Sequence, residues 1–153
     1  MASAVAEAAI ARGESHEILF TLAAQLRLES GDYHGAVTLY LRAIELAPDN
    51  PGILAAAADS MRYTGQLKES VALFDRAIAC EQTTISAWYG RALALEAEGR
   101  LNDAQLSYTR VTELAPTLAS GFASLAILQL QLGDIKHARQ NARRAQTLGP
   151  NEY

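Results

Sequence analysis

The chain has 153 residues, half of them hydrophobic and a fifth charged, which is enough apolar material for a core and argues against disorder over most of its length. Thirteen Lys and Arg against seventeen Asp and Glu give a net charge of −4, so no surplus of cations is on offer to phosphates and general nucleic-acid binding is excluded. One cysteine, Cys80, rules out an intrachain disulfide; the opening MASAVAEAAIARGE lacks the basic start and long apolar run of a secretory signal, and no charge-free apolar run approaches the ~18 residues of a membrane span. These features read as a soluble, cytoplasmic protein.

Four glycines, Gly31, Gly65, Gly99 and Gly133, stand 34 residues apart, and their surroundings repeat with the same period. In chain order, residues 1–12 come first. They hold Ala2, Ala6 and Ala9 in register with the second helix of the later units, and read as a lone helix in segment 1–16. It is either an N-terminal cap or the remnant of a preceding repeat. The unit 17–50 places Phe20 and Ala24 before its glycine, Ala36, Tyr40 and Ala43 after it, and leaves at Pro48. The unit 51–84 has Leu54 and Ala58, then Ser70, Phe74 and Ala77, with Gln82 at the exit. The unit 85–118 has Trp88 and Ala92, then Ala104, Tyr108 and Val111, and leaves at Pro116. The unit 119–152 has Phe122 and Ala126, then Ala138, Ala142 and Ala145, and leaves at Pro150.

Steps of four and three residues put each set on one helical face. A large side chain opposite an alanine lets two axes approach within about 8–10 Å. One helix pair cannot cover its own apolar face, so neighbouring units must stack. No segment alternates with period two for long enough to suggest a strand. The fold class is all-α, an α-solenoid of four helix-turn-helix repeats with an extra N-terminal helix. Trp88 is expected in the core, where truncation to alanine costs roughly 3–5 kcal/mol. Cys80, aligned with Leu46, Leu114 and Leu148, is expected to be a small buried apolar residue.

With these residues the chain resembles the tetratricopeptide repeat (TPR) family. The stretch GDYHGAVTLYLRAIELAPDN is close to the family pattern, and the resemblance covers 136 of 153 residues, four times 34. It implies a right-handed superhelix in which the first helix of each unit (helix A) lines a concave face and the second (helix B) a convex one. Three departures carry expectations. Gln82 in place of proline suggests a second helix that runs longer or turns differently. Arg91 stands where the family has an apolar residue, so its stem should pack while its head reaches water or a carboxylate. Ala142 replaces an aromatic and thins the last helix.

Catalytic chemistry finds little to use. His16, His34 and His137 lack the spacing of a zinc site, the glycines are isolated turns rather than a phosphate loop, and Glu96 and Glu98 point to different sides of a helix. The expectation is a non-enzyme without cofactor or metal. The last helix, KHARQNARRAQTL, is the most polar: residues from 134 on carry four basic and two acidic groups, those before it nine and fifteen. That pattern fits either a hydrophilic terminal cap or a contact for an acidic partner.

The resemblance also implies a binding groove on the helix A side. Its positions here hold Ile18, Thr21 and Gln25 in the first unit, Asp59, Arg62 and Tyr63 in the second, Tyr89, Leu93 and Glu96 in the third and Ile127 in the fourth. Tyr63 and Tyr89 would anchor an extended or helical segment and the charges would orient it. Against this, Leu28, Leu93 and Leu130 could simply pack against the next unit. The positions at which some family members grip a C-terminal carboxylate hold Thr21, Gln25, Ala56, Ser86 and Gly90, with no lysine among them. The functional expectation is a scaffold or adaptor binding a protein or peptide, with neither nucleic acid nor membrane insertion. Its rivals are a substrate-recruiting or regulatory region of a larger enzyme, for example a transferase, and a self-assembling scaffold that forms a weak homo-oligomer.

Overall fold

The computed structural model describes residues 2–13 and 16–149, the side chains of residues 2 and 3 excepted. Pro150, and Ala2 as a packing residue, therefore lie outside what is described. Among the described residues there are nine α-helices and no strand. They are α1 (Ala2–Ala11), α2 (Glu17–Glu29), α3 (Tyr33–Leu46), α4 (Pro51–Tyr63), α5 (Leu67–Cys80), α6 (Ile85–Ala97), α7 (Leu101–Leu114), α8 (Ala119–Gln131) and α9 (Ile135–Leu148).

The in-register glycines are stops of one kind. Gly31, Gly65, Gly99 and Gly133 have φ of 81°, 81°, 78° and 80°, a left-handed conformation that costs a residue with a Cβ about 1–2 kcal/mol. Each amide bonds the carbonyl three residues back, and the next amide reaches five back, as in Asp32 N–H to Arg27 O at 2.8 Å. This double closure satisfies carbonyls that the helix end would leave bare. The second helix of each pair then starts at once. Asp32 and Asp134 cap α3 and α9 by accepting from the amides of Gly35 and His137. Asn50 does the same for α4, with Pro51 at its first turn.

Exits from α3, α5, α7 and α9 use no left-handed residue. The chain turns at Ala47, Glu81, Ala115 and Gly149, all at negative φ; Glu81 is extended at ψ 101°, and the other three stand at ψ 72°, 72° and 69°. Of the two outcomes expected at Gln82, the longer helix is not seen: α5 has 14 residues, as have α3 and α7. The exit does turn differently, with Glu81 at ψ 101° where Ala47 and Ala115 stand at 72°. Helix α1 buries Ala6 and Ala9, as a second helix in that register would, but differs in how it ends. It ends on Gly13 at φ 83°, with Gly13 N–H bonded to Ile10 O, as the first helices of the pairs do.

The chain forms two compact units, divided between Thr84 and Ile85. In the first, α1 to α5 pack in sequence, and Phe20, Leu54, Tyr40 and Phe74 are buried among Ala24, Ala36, Ala58 and Ala77. Buried Ala6 and Ala9 seat α1 on α2, and Arg27 Nη2 donates to Glu7 Oε1 at 2.8 Å. In the second, α6 to α9 bury Leu95, Tyr108, Val111, Leu125 and Leu128 against Ala92, Ala104 and Ala126. Two core expectations need correcting. Trp88 is partly rather than fully buried, in keeping with an indole too large to be covered on every side. Cys80 is exposed. It is the last residue of α5, beyond Ala77, where the apolar stripe has run out; Leu46 is exposed at the same place in α3.

In urea unfolding, Phe74→Ala is expected to cost roughly 3–5 kcal/mol and Trp88→Ala measurably less; the reverse order would mean that the helix faces are misassigned. A second expectation concerns acid. The Gly35 amide, opposed by some desolvation and helped by Arg27, holds Asp32 below its ordinary value of 3.8. The unfolded chain therefore takes up the proton at higher pH than the folded one. The stabilisation is complete above 3.8 and disappears as pH falls through the lower folded value. Asp32→Asn should lower the melting temperature at neutral pH and give a shallower decline in acid, followed by circular dichroism against pH.

Candidate peptide-binding surface

In the first unit an open groove of about 450 Å³ lies between the N-terminal halves of α2 and α4. Three of the sequence-predicted residues, Ile18, Thr21 and Gln25, line it together with Leu22, Asn50 and Gly52. Positions 18, 21, 22 and 25 fall on one face of α2 by helical spacing. Ile18 is 69% exposed. The Thr21 hydroxyl donates to the Glu17 carbonyl at 2.7 Å, and Asn50 is occupied in capping α4 through its Oδ1. Gly52 keeps the opposite wall low, since it presents no side chain.

Asp59, Arg62 and Tyr63 sit in the second half of α4, seven to eleven residues or about 10–17 Å from Gly52 at 1.5 Å per residue. They are brought together with one another but not with the groove. Arg62 Nε and Nη2 both donate to Asp59 Oδ1, at 3.0 and 2.8 Å. The guanidinium carbon stands 4.3 Å from the centre of the Tyr63 ring, which stacks on Tyr33 at 4.9 Å and 19°. Burial works against the charge on Arg62, but hydrogen bonds and the charge of Asp59 outweigh it and raise its pKa above the ordinary value. Burial, and then the charge of Asp59, also raise the Tyr40 phenol. The charges expected to orient a ligand are thus spent on each other, and the stacked tyrosine pair is what faces outward, with Tyr63 54% exposed. Sequence reading missed Tyr33. Its signal was the register: Leu67, Leu101 and Ile135 follow it at 34-residue steps, an apolar position in every unit.

In the second unit Tyr89 is partly buried. Its hydroxyl lies 2.8 Å from Ser124 Oγ on α8, and its ring meets Tyr108 edge-on at 5.5 Å and 75°. Tyr108 in turn donates to Glu96 Oε2 at 3.0 Å. Tyr89 and Glu96 therefore brace α6 against α8 and α7. Leu93 is partly buried, as is Leu28 in the first unit, whereas Ile127 is 59% and Leu130 61% exposed. Arg91 is partly buried, and its Nη1 donates to Ser107 Oγ at 2.7 Å.

Among the described residues no group of three or more His, Cys, Asp or Glu side chains is placed to hold a metal ion. His137 Nδ1 pairs with Asp134 Oδ2 at 2.7 Å at the exposed start of α9, which is a capping arrangement. No described helix is long and apolar enough to cross a membrane.

Models of the tetratricopeptide repeat match residues 27–94 and 85–118, together more than half of the chain. Among curated proteins, the TPR repeat-containing thioredoxin TTL4 of Arabidopsis thaliana is 34% identical over 85 residues, 56% of this chain and 12% of that protein. The inactive TPR repeat-containing thioredoxin TTL3 of the same plant is 30% identical over 93 residues, 61% of this chain and 14% of that protein. The chain thus spans about an eighth of the relatives it matches. Among solved structures, MamA aligns with a TM-score of 0.92 at 12% identity, over 98% of this chain and 88% of that one. YrrB, described as a TPR protein with an unusual peptide-binding site, aligns at 0.84 and 18% identity, over 98% and 77%. The first TPR of Spaghetti, solved with an HSP90 peptide, aligns at 0.74 and 20% identity, over 76% and 93%. At such identities the structures speak for the fold. With its antiparallel helix pairs, glycine stops 34 residues apart and rings set over alanines, the chain belongs to the tetratricopeptide repeat family.

Proposed function

We propose that the chain is a protein-interaction module, a scaffold or adaptor, that takes a peptide or short helical segment on the helix A side. The observation that carries this reading is the groove between α2 and α4, where exposed Ile18 and Leu22 lie beside Thr21 and Gln25. Apolar contact would supply the affinity and the polar neighbours the register. Tyr63, stacked on Tyr33, offers a second aromatic contact at the other end of α4. Tyr89 and Glu96 serve by holding α6 in place, and Leu93 and Ile127 add apolar surface in the second unit. The peptide-binding site named for YrrB and the peptide held by the Spaghetti domain support a ligand of this class. An acidic C-terminal tail of the HSP90 kind is a poor candidate, because Thr21, Gln25, Ala56, Ser86 and Gly90 provide no lysine for its carboxylate.

A second reading is favoured by the relatives. Both are named as thioredoxins and are several times longer than this chain, which suits a recruiting or regulatory region within a larger protein. The same groove would then hold a substrate or a neighbouring domain.

Peptides selected from a random library on the immobilised protein should bind at least tenfold more weakly to Ile18→Glu, a loss of about 1.4 kcal/mol or more. They should bind unchanged to Leu106→Glu, which alters an exposed leucine on α7. Selected peptides indifferent to Ile18→Glu would refute the assignment. Tyr89→Phe is expected to cost about 0.5–1.5 kcal/mol in unfolding through its lost hydroxyl bond, while peptide affinity, read by fluorescence anisotropy, stays the same.

A further inference from the structure

Among the described residues, helices α8 and α9 present an uncovered face whose side chains differ from those at the same register in α6 and α7. There, α8 lies over the face: Tyr89 bonds Ser124, and Gly121 comes so near Val111 that a Cβ would stand 3.0 Å from its Cγ1. Thirty-four residues on, Tyr89, Tyr108 and Val111 become Ala123, Ala142 and Ala145. All three large side chains have shrunk to methyls. The result is a groove of about 570 Å³ along α8 and α9, continuing into an apolar end of about 310 Å³. That end exposes Ile127, Leu130 and Ile135, at 59%, 61% and 58%. Apolar residues open to water to this extent, side by side, mark an interaction surface.

One edge of the groove is cationic. Lys136, Arg139 and Arg143 stand on α9 at intervals of three and four, a single stripe about 10 Å long at 1.5 Å per residue. Among the described residues Arg139 and Arg143 have no carboxylate partner, and Lys136 has only the nearby charge of Asp134, which forms its close pair with His137. Arg144, by contrast, donates to the Pro116 carbonyl at 3.4 Å and lies 5.8 Å from the Phe122 ring centre.

We propose that this face is a docking slot for an acidic amphipathic helix of a partner protein. Bulky apolar side chains of that helix fill the space over Ala123, Ala142 and Ala145, and carboxylates along its flank pair with Lys136, Arg139 and Arg143. A helix is favoured because the same face of α6 and α7 receives one. An acidic flank is favoured because burial would otherwise leave Arg139 and Arg143 without a counter-charge and Lys136 with only the distant one of Asp134. A second copy offers a helix but not the acidic flank. Face to face it would set one cationic stripe against another, and α1, at the other end of the chain, carries a single carboxylate, Glu7, already paired with Arg27.

The test uses the full chain and two synthetic 16-residue amphipathic helices that share one Leu and Phe face, with Glu along the flank in one and Lys in the other. By fluorescence anisotropy at low salt, the Glu probe should bind at least tenfold more tightly than the Lys probe and weaken as salt rises. The double variant Arg139→Glu, Arg143→Glu should lose tenfold or more for the Glu probe. Ala142→Tyr, which puts a ring back into the slot, should lose a comparable amount, and both variants should keep the parent's far-UV helical signal. Leu106→Glu, at an exposed leucine of α7, should leave the Glu probe's affinity unchanged, and peptides selected on the α2–α4 groove should not displace the probe, which separates the two sites. Equal binding of the two probes, or a Glu probe indifferent to both variants, would overturn the proposal. So would a dimer in sedimentation equilibrium that Ala142→Tyr abolishes, because the occupant would then be a second copy.

Discussion

An aromatic ring fits between two helices only where the facing side chain is no larger than a methyl. That single steric condition organises the protein. Tyr40, Phe74 and Tyr108 are buried to within a few per cent, and they are surrounded by Ala24, Ala36, Ala58, Ala92 and Ala104, each with no exposed surface at all. A larger residue at any of these alanines would push its helix outward and uncover the ring it serves. The glycine stops matter for the same reason. A left-handed residue reverses the chain within two positions, so the second helix begins close enough to lie on the first. Turn and packing enforce one another: without the tight reversal the alanines have nothing to meet, and without the alanines the reversal brings two helices into collision.

This condition is local and periodic, which is why so much of the fold is legible in the sequence. The glycine spacing, the large residue eleven positions upstream and the small ones downstream are read without knowing any coordinate. What stays hidden depends on where an element stops and on what the neighbouring helix happens to offer. Cys80 shares a register position with three leucines, but the position lies at a helix end where the buried stripe is finished. Gln82 looked like a missing stop, yet α5 ends through the extended backbone of Glu81, a feature that no side chain announces. Gly13 is the converse case. It lies outside the 34-residue series, so periodicity passes over it, and only its φ of 83° shows that α1 closes as the first helices do.

The candidate site divides along the same line. Ile18, Thr21 and Gln25 share a helical face, and spacing alone places them together. Asp59, Arg62 and Tyr63 share a helix end, but their charges neutralise one another and their ring stacks on Tyr33, a residue from a different helix. Tyr89 and Glu96 belong to a chain of contacts that includes Ser124 and Tyr108. Pairings between helices are set by three-dimensional neighbours, and a one-dimensional pattern lists the participants without matching them.

Packing and recognition therefore draw on the same positions with opposite demands. A position that receives the next helix must be filled to the last methyl, as Tyr108 and Val111 are. Where it opens to solvent with Ala142 and Ala145 in their place, the pair keeps the geometry of a helix receptor and lacks the bulk to complete it. Cations along the rim keep such a face soluble, because desolvating them without partners is expensive. The same cost selects among occupants: an apolar segment alone would pay it in full, and one that brings carboxylates would recover it. A surface built in this way is stable when bare and discriminating when covered, and both properties come from the cations on α9.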